Sequence, residues 1–326
     1  MNLRIKWDSL KAVIKVKLFN KKIPLIISWH LLNRCNRQCK YCSRWNTPCK
    51  ELNTKEILSI INTFSKKGTK IIIFSGGEPL LREDIGEIIN YCHSKNIFTG
   101  ITSNGSLLPL KIEELQHLDI LKLSFDGPED IHDFIRGKGS YKDTIAAVKL
   151  AQRHCLVTKF NTTLSKYNLD SVDFILEKAG ELNVKVKFQP LSYVHSGEAN
   201  INHLFPDKEN YRKTIKKLIL LKKNNKYIIN SLTALKYLYD WPSYNKMTCY
   251  GGRLTYCISS EGDLYPCTML MEKTKAPNCL TPFLEETHLN LPVSKCEGCW
   301  CTSTLEMNCF LKFNLDEFLN IKKLFD

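Results

Sequence analysis

The sequence lacks an apolar run long enough to cross a lipid bilayer. The longest such run near the N-terminus covers residues 23–32, about half of what a spanning helix needs. No segment combines the basic, apolar and small-residue parts of an export signal. We therefore expect a cytoplasmic protein whose 14 cysteines are metal ligands rather than disulfide partners.

Acidic residues are few, since 33 aspartates and glutamates stand against 47 lysines and arginines, giving a formal net charge of +14. This charge favours acidic partners: a redox protein, a peptide, an anionic membrane or nucleic acid. The cations concentrate at residues 2–22 and 208–226. We interpret the first segment as an amphipathic helix packed on its own domain, with an interfacial membrane helix as the alternative. The second segment is interpreted as a solvated helix face rather than a nucleic-acid surface, because no interleaved aromatic motif accompanies it.

Short apolar runs alternate with helical patterns between residues 24 and 190. We predict strands at 26–29, 70–74, 97–102, 120–125, 157–163 and 184–189. Helices are predicted between them, one starting at the capping box Asn53-Thr54-Lys55-Glu56, while residues 132–141 are predicted to form a loop. Repeated strand–helix alternation is typical of a parallel sheet, so the sequence predicts an α/β fold that closes into a full or partial β/α barrel.

Polar and glycine residues follow the predicted strands at the points where the strands end. They are Cys35, Gly76, Asn104, Asp126 and Gln189. In β/α barrels the active site lies at the carboxyl ends of the strands. The sequence therefore predicts a single site at this end of the sheet.

Three cysteines follow the first predicted strand with the spacing Cys35-x3-Cys39-x2-Cys42. Three thiolates on one short loop can bind three irons of a [4Fe–4S] cluster, which leaves the fourth iron with an open position. Chemistry at a metal takes place at open positions. A zinc knuckle or three unrelated buried thiols are the alternative interpretations.

A glycine-rich turn follows the second predicted strand and reads Ser75-Gly76-Gly77-Glu78-Pro79. Glycines let the backbone approach a ligand closely, and a carboxylate can bind a cationic group. An ordinary strand-to-helix turn is the alternative explanation. The turn gains weight because it comes one strand after the three cysteines.

Eight of the 14 cysteines fall between residues 249 and 309. Cys249 and Cys267 flank a predicted hairpin with strands at 254–259 and 264–266, and Cys296 and Cys299 form a later Cys-x2-Cys pair. Four thiolates from two chain segments make a closed metal site, which suits either zinc or an iron–sulfur cluster. We predict a small cysteine-rich α+β module made of a hairpin and a helix.

The cysteine loop and the strand-end motifs together resemble the radical S-adenosylmethionine (SAM) superfamily. The resemblance covers residues 24–190 and includes the motifs Thr102-Ser103-Asn104-Gly105 and Ser124-Phe125-Asp126-Gly127-Pro128. It implies a partial (β/α)6 TIM-like barrel with a [4Fe–4S] cluster on Cys35, Cys39 and Cys42. The SAM contacts that it implies are Tyr41, Gly76, Gly77, Glu78, Pro79, Ser103, Asn104, Ser124, Asp126 and Arg136.

The resemblance also implies a role for each group. Residues 76–79 would receive the amino group of SAM, and Tyr41 would lie near its adenine. The ribose or carboxylate of SAM would be contacted by Ser103, Asn104, Ser124 and Asp126. Arg136 would contact the SAM carboxylate or an acidic substrate, with a structural ion pair as the alternative. An acidic reductant of the flavodoxin or ferredoxin type would supply the electron for reductive cleavage of SAM. The resulting 5′-deoxyadenosyl radical would abstract a substrate hydrogen.

The segment from Cys249 to Cys267 resembles the opening of the SPASM and twitch domains that follow radical SAM barrels. The later cysteines depart from the full SPASM pattern, so the resemblance favours the twitch form. It implies one auxiliary [4Fe–4S] cluster on Cys249, Cys267, Cys296 and Cys299, acting as an electron acceptor. Cys301 could replace Cys299, and a second cluster could draw on Cys257, Cys279, Cys301 and Cys309. Relatives of this kind modify peptides, sulfatase maturation sites or small aminocyclitols.

Two functional hypotheses follow from these motifs. The first is an enzyme that oxidises a small molecule or a peptide; the second is a non-catalytic zinc or iron–sulfur protein. The turn at residues 76–79 favours the enzyme, since an electron carrier needs no pocket for the SAM amine. The predicted division of the chain is a basic N-terminal segment (1–23), a core barrel (24–190), a linker with helices (191–246) and an auxiliary-cluster domain (247–326).

Overall fold

The six strands predicted between residues 24 and 190 form the centre of one sheet. The computed structural model describes residues 3–192, 201–242, 247–271, 276–281, 289, 291, 296 and 298–311. The strands are β1 (Ile26–Leu32), β2 (Ile71–Gly76), β3 (Phe98–Ser103), β4 (Ile120–Ser124), β5 (Thr158–Leu164) and β6 (Lys185–Pro190). Each strand pairs in parallel with the next. The predicted α/β class and partial β/α barrel are confirmed.

Helices connect these strands and continue beyond them. They are α1 (Leu3–Leu18), α2 (Thr54–Lys66), α3 (Ile85–Ser94), α4 (Leu108–Lys111), α5 (Glu129–Arg136), α6 (Ser140–Arg153), α7 (Val172–Glu181), α8 (Lys208–Lys222), α9 (Leu232–Leu238) and α10 (Thr302–Leu311). Within the described ranges, no helix is long and apolar enough to cross a membrane.

The inner strands direct alternate side chains to two different environments. On β4, Leu121 and Leu123 are buried in the main hydrophobic core with the helices, as is Phe160 on β5. Lys122 and Asn161 point the other way and line an interior cleft. This alternation follows from the two-residue repeat of a strand. The face packed against the helices therefore stabilises the barrel, and the opposite face supplies polar side chains to the interior cleft.

A hairpin from the cysteine-rich segment extends the sheet. β7 (Thr255–Ile258) pairs in parallel with β1, and β8 (Leu264–Tyr265) pairs antiparallel with β7. The sheet order is thus β6-β5-β4-β3-β2-β1-β7-β8. The predicted hairpin forms, and its pairing with β1 fixes the cysteine-rich segment next to the barrel. The domain divisions at residues 24, 191 and 247 stay predictions.

One helix forms where the sequence predicts a loop. α5 covers the first half of the 132–141 segment, with Glu129 and Asp130 in its first turn, where acidic groups are favourable. Its inward side chains, His132, Ile135 and Arg136, are buried. The helix ends at Gly137, whose φ of 103° is open to glycine but strained for other residues. The loop prediction is therefore wrong for residues 132–136.

The predicted capping box of α2 is present and supports a first test of the fold. The Asn53 side chain accepts a bond from Glu56 N at 3.0 Å, and the Glu56 carboxylate accepts one from Asn53 N at 2.8 Å. Asn53→Ala is expected to lower the free energy of unfolding by about 1 kcal/mol, because an N-terminal amide loses its acceptor. Denaturant titration measures this. Ser59→Ala, an exposed position in the same helix, is the matched control and should leave stability unchanged.

Candidate active site

The three cysteines that follow β1 lie on one loop at the carboxyl end of the sheet. Cys35, Cys39 and Cys42 are partly buried, none forms a disulfide, and all three line the same cleft. The cleft holds about 1150 Å³ of empty space, counting the part open to solvent. The loop is fixed by a bond from Lys40 N to Ile135 O at 2.9 Å. The structure thus brings the predicted thiols together at the predicted end of the barrel.

The glycine-rich turn after β2 packs directly on the cysteine loop. Gly77 N donates to Leu32 O at 2.7 Å, and Glu78 N donates to Arg34 O at 3.1 Å. A Cβ atom on Gly77 would lie 2.0 Å from Arg34 O, far inside contact distance. Glycine is therefore required at this position by the chain itself. Both Gly76 and Gly77 also line the cleft.

The Glu78 carboxylate joins the second and third strand-end motifs. It is buried and accepts bonds from Ser103 Oγ at 2.8 Å, Asn104 N at 2.8 Å and Leu80 N at 3.1 Å. Burial raises the pKa of Glu78, and these hydrogen bonds oppose the rise. The carboxylate therefore holds the 103–105 turn in place beside the cleft.

Asn104 carries this network back to the cysteine loop. Its Nδ2 donates to Asn36 Oδ1 at 2.9 Å and lies 4.0 Å from the sulfur of Cys35. Its Oδ1 accepts from Ser106 N and Ser106 Oγ. Asn104 lines the cleft, as do Ser103 and Ser124. The loops after β1, β2 and β3 thus form one hydrogen-bonded unit.

Arg136, Asp126 and Tyr41 form a buried cluster behind the cysteines. The Arg136 Nε donates to Asp126 at 2.6 Å, its guanidinium lies 5.4 Å from the centre of the Tyr41 ring, and its Nη1 is 4.0 Å from the sulfur of Cys39. Burial alone would lower the pKa of Arg136, but Asp126 and then Tyr41 outweigh it, so the pKa is raised. The guanidinium thus stays charged beside a thiol that a metal would bind as thiolate.

Asp126 is placed to orient Arg136 rather than to face the cleft. Its side chain is fully buried, and it also accepts bonds from Thr163 N at 2.9 Å and Tyr41 Oη at 3.4 Å. It is not among the residues that line the cleft, whereas Arg136 and Tyr41 are. The ion pair given as an alternative for Arg136 is therefore present.

Removing one charge of this pair tests its contribution. Asp126→Asn is expected to destabilise the fold by about 3–5 kcal/mol, because Arg136 is left charged and buried without a counter-ion. Adding Arg136→Met should recover most of that loss, since no unpaired charge then remains. The denaturant midpoints of the single and double variants measure both effects. A double variant as unstable as the single one would contradict this account.

Several cleft residues escaped sequence reasoning. Arg37 follows Cys35 and lines the cleft while it pairs with Asp143 and donates to Lys138 O at 3.1 Å, so it ties the cysteine loop to α6. Lys122 and Lys187 also line the cleft. Lys187 Nζ donates to Ser303 Oγ at 2.7 Å. For Lys122 the signal was available, since it is the charged residue in the short apolar run of β4. β6 also contains Lys185 and Gln189, so Lys187 does not stand out in the sequence.

The second group of cysteines gathers next to the barrel. Burial raises the pKa of the Cys299 thiol, and the neighbouring thiols raise it further; they are Cys301, Cys249, Cys267 and Cys296. Asn308 Nδ2 lies 3.6 Å from the sulfur of Cys299 and 3.9 Å from that of Cys249. Cys299 therefore lies within electrostatic range of the other three predicted ligands, and the nearby Cys301 also lines the cleft.

The remaining cysteines of that segment are buried. Cys279 and Cys309 belong to the main hydrophobic core, as Cys299 also does, and the Cys257 sulfur contacts the Met271 sulfur at 3.3 Å. Among the residues the structure describes, no three histidine, cysteine or acidic side chains converge on a point suited to one metal ion. In a cubane cluster each thiolate binds a separate iron, so such convergence is not required.

The donor set of the cysteine loop fits a [4Fe–4S] cluster. Three reduced thiols face one cleft, and two guanidinium groups, from Arg37 and Arg136, lie among them. These cations offset the negative charge that thiolates and a cluster bring into a partly buried site. The polar strand-end groups beside the loop leave room for a ligand of the open iron.

Comparison with known proteins shows what this arrangement is similar to. Residues 29–179 match the profile of the Radical SAM superfamily. An AdoMet-dependent heme synthase of Methanosarcina barkeri is 29% identical over 272 residues, which are 76% of this chain and 77% of that protein. The mycofactocin maturase MftC of Mycolicibacterium smegmatis is 24% identical over 79% of this chain and 68% of that protein.

Solved structures share the same architecture. SuiB of Streptococcus suis bound to S-adenosylmethionine superposes with a TM-score of 0.67 at 17% identity, over 84% of this chain and 68% of that one. Another structure of SuiB contains its precursor peptide SuiA. At this identity the likeness shows a shared fold. The cofactors predicted from the sequence, a [4Fe–4S] cluster and SAM, are those of the matched family.

Proposed function

The chain carries a radical SAM domain at residues 29–179, and on this premise we propose that it oxidises a substrate bearing an anionic group, with an auxiliary [4Fe–4S] cluster as electron acceptor. When bound, the first cluster and SAM supply a 5′-deoxyadenosyl radical that abstracts a substrate hydrogen. The observation that carries this proposal is the convergence of three thiols and three strand-end motifs on one cleft.

The cleft residues divide into ligands and groups that position them. Cys35, Cys39 and Cys42 would hold the cluster, and residues 76–79 would receive the SAM amine on the turn packed against that loop. Ser103, Asn104 and Ser124 would contact the ribose or carboxylate of SAM, and Tyr41 would lie near its adenine. Asp126 acts through Arg136, which it keeps charged and oriented beside Cys39.

We assign the auxiliary cluster to Cys249, Cys267, Cys296 and Cys299. Their clustering beside the barrel supports this set, as does the Asn308 amide near two of the sulfurs, because such donors stabilise thiolate ligands. Four protein thiolates close the site to substrate, which favours electron transfer over substrate binding. Cys301, a fifth thiol near this set, lines the cleft, which supports a position for the cluster close to the substrate.

The substrate is proposed to carry a carboxylate or another anionic group. Lys122 on β4 and Lys187 on β6 both line the cleft, with β5 between their strands. In the described part of the chain Lys122 makes no hydrogen bond or ion pair, and burial and the nearby Lys187 and Lys159 lower its pKa. Grouped ammonium ions in a partly buried cleft are costly unless an anion joins them. Either a small molecule or an acidic peptide can supply it: a heme synthase is among the named relatives, and SuiB was solved with its precursor peptide.

Anaerobic reconstitution tests the reaction. With iron and sulfide restored, we expect about eight irons per chain, as two cubanes require, and formation of 5′-deoxyadenosine from SAM and dithionite. A flavodoxin or ferredoxin should replace dithionite. Absence of 5′-deoxyadenosine would overturn the enzyme proposal. Zinc in place of about four of the irons would overturn the auxiliary-cluster proposal alone.

The substrate class has its own test. Deuterated acidic candidates and their neutral amides are compared by transfer of deuterium into 5′-deoxyadenosine. We expect transfer only from acidic compounds, and a loss of about tenfold or more in Lys122→Met, as expected for one charged hydrogen bond. Lys142→Met, at an exposed lysine on α6, is the matched control. Equal transfer from acid and amide would contradict the proposal.

A further inference from the structure

The N-terminal helix α1 exposes a stripe of large apolar side chains. Trp7, Leu10, Ile14 and Leu18 are 57%, 41%, 41% and 74% exposed. Their spacing of three, four and four residues puts them on one side of a helix. A contiguous exposed row of this size on one element marks an interaction surface, whereas single exposed apolar residues need no explanation.

The opposite side of α1 already stabilises the fold. Ala12, Val13 and Val16 are buried in one cluster with Leu254 and Leu311, which draws the helix onto the barrel edge. The predicted packing of this segment on its own domain is therefore present. It leaves the apolar stripe on the side that faces away, where its side chains stay largely exposed and lie outside the buried clusters that the described residues form.

Near its start, α1 crosses the base of the barrel. Ile5 packs with Ile71, Phe98 and Ile120, the first residues of β2, β3 and β4. The cleft with the three cysteines lies at the other ends of these strands. The exposed stripe thus faces away from the site, and anything bound to it leaves the cleft open.

Cations flank the stripe on both sides. Arg4, Lys11 and Lys15 lie along one side and Lys6 along the other, and all four are exposed. The acidic residue of α1, Asp8, pairs with Lys70 at 3.1 Å on the side towards the barrel. The exposed face of α1 therefore combines a central apolar row with positive edges and carries no acidic side chain.

The apolar row with its positive edges favours one kind of binding partner over another. Pairing with a second copy of the chain would bring two sets of lysines together with no carboxylates on the stripe to neutralise them, which is unfavourable. An apolar row with basic edges suits the interface of a bilayer, where acyl chains take up the row and anionic headgroups meet the lysines. We propose that α1 is a docking surface for an anionic lipid bilayer, with the catalytic cleft facing the aqueous side.

Vesicle flotation with the reconstituted holoenzyme tests the proposal. We expect binding to vesicles of phosphatidylglycerol and phosphatidylcholine, and binding at least about tenfold weaker to phosphatidylcholine alone, since each lysine near an anionic surface contributes about fivefold. Trp7 emission should shift to the blue on binding, and Trp7→Phe should lose that shift. High salt should weaken the binding.

Two sets of variants separate the apolar and ionic contributions. Leu10→Gln with Ile14→Gln, and Lys11→Glu with Lys15→Glu, should each weaken binding by about tenfold or more. Leu110→Gln, at an exposed leucine on α4, is the matched control and should bind as the unchanged chain does. Thermal unfolding should be the same in all of them, because these side chains are exposed.

Three outcomes would overturn the lipid assignment. They are no binding to either vesicle, equal binding to both vesicles, and binding that the stripe variants do not weaken. A dimer in light scattering that dissociates in Leu10→Gln with Ile14→Gln would assign the stripe to a second copy instead. None of these outcomes depends on 5′-deoxyadenosine formation, so the proposal stands or fails apart from the catalytic one.

Discussion

Replacing Cys35, Cys39 and Cys42 together by alanine is expected to reduce 5′-deoxyadenosine formation to the level of an assay without protein. These thiols lie on one loop, line one cleft and supply the donors that the first cluster requires. Without them no iron is held next to the strand-end motifs that would bind SAM. The measurement is chromatographic quantification of 5′-deoxyadenosine after incubation with SAM and dithionite under anaerobic conditions.

The iron content of the same variant separates the two cysteine groups. If Cys249, Cys267, Cys296 and Cys299 hold an independent cluster, about four irons per chain should remain. Cys49→Ala is the matched control, because Cys49 is a partly buried cysteine shortly after the same loop, and it should keep both activity and iron. Residual 5′-deoxyadenosine in the triple variant, or loss of activity in the control, would contradict the assignment of ligands.

Much of the site could be predicted because its residues are local in sequence. The three cysteines lie on one loop that follows β1. The turns after β2, β3 and β4 likewise lie within a few residues of a strand end. Once the strands are recognised by their apolar runs, the parallel topology brings their carboxyl ends together. For this reason Gln189, which the sequence places at a strand end, lines the cleft, as does Asn161.

Contacts between distant segments were beyond sequence reasoning. Residues 255–258 pair with β1. Nothing in their sequence indicates this pairing, since a short apolar strand could equally belong to a separate sheet. The pairing of Arg37 with Asp143 spans more than a hundred residues and depends on how α6 packs. The bond between Asp126 and Arg136 depends on the helix α5. The sequence predicts a loop there because glycines and charged residues surround the helix.

Gly77 was interpreted from sequence as room for a ligand, and the structure adds a second demand on the same residue. Its Cβ position lies 2.0 Å from Arg34 O and 2.4 Å from Asn33 O. Both obstacles are backbone atoms, so no side-chain rotation can relieve the overlap. Gly77→Ala must therefore move the turn away from the cysteine loop, and with it the Glu78 carboxylate that holds Ser103 and Asn104.

We expect Gly77→Ala to lower the rate of 5′-deoxyadenosine formation by about 100-fold, the usual consequence of displacing reacting groups by about 1 Å. The cysteine ligands are unchanged, so iron content should fall much less than activity. Gly180→Ala is the matched control: this glycine lies in α7, its nearest neighbour would be 3.4 Å from the new Cβ, and alanine favours a helix. Equal activity in the two variants would show that the 76–79 turn tolerates displacement and does not position SAM. A selective loss in Gly77→Ala, with iron retained, would show that the turn sets the geometry of the cofactor rather than the assembly of the cluster.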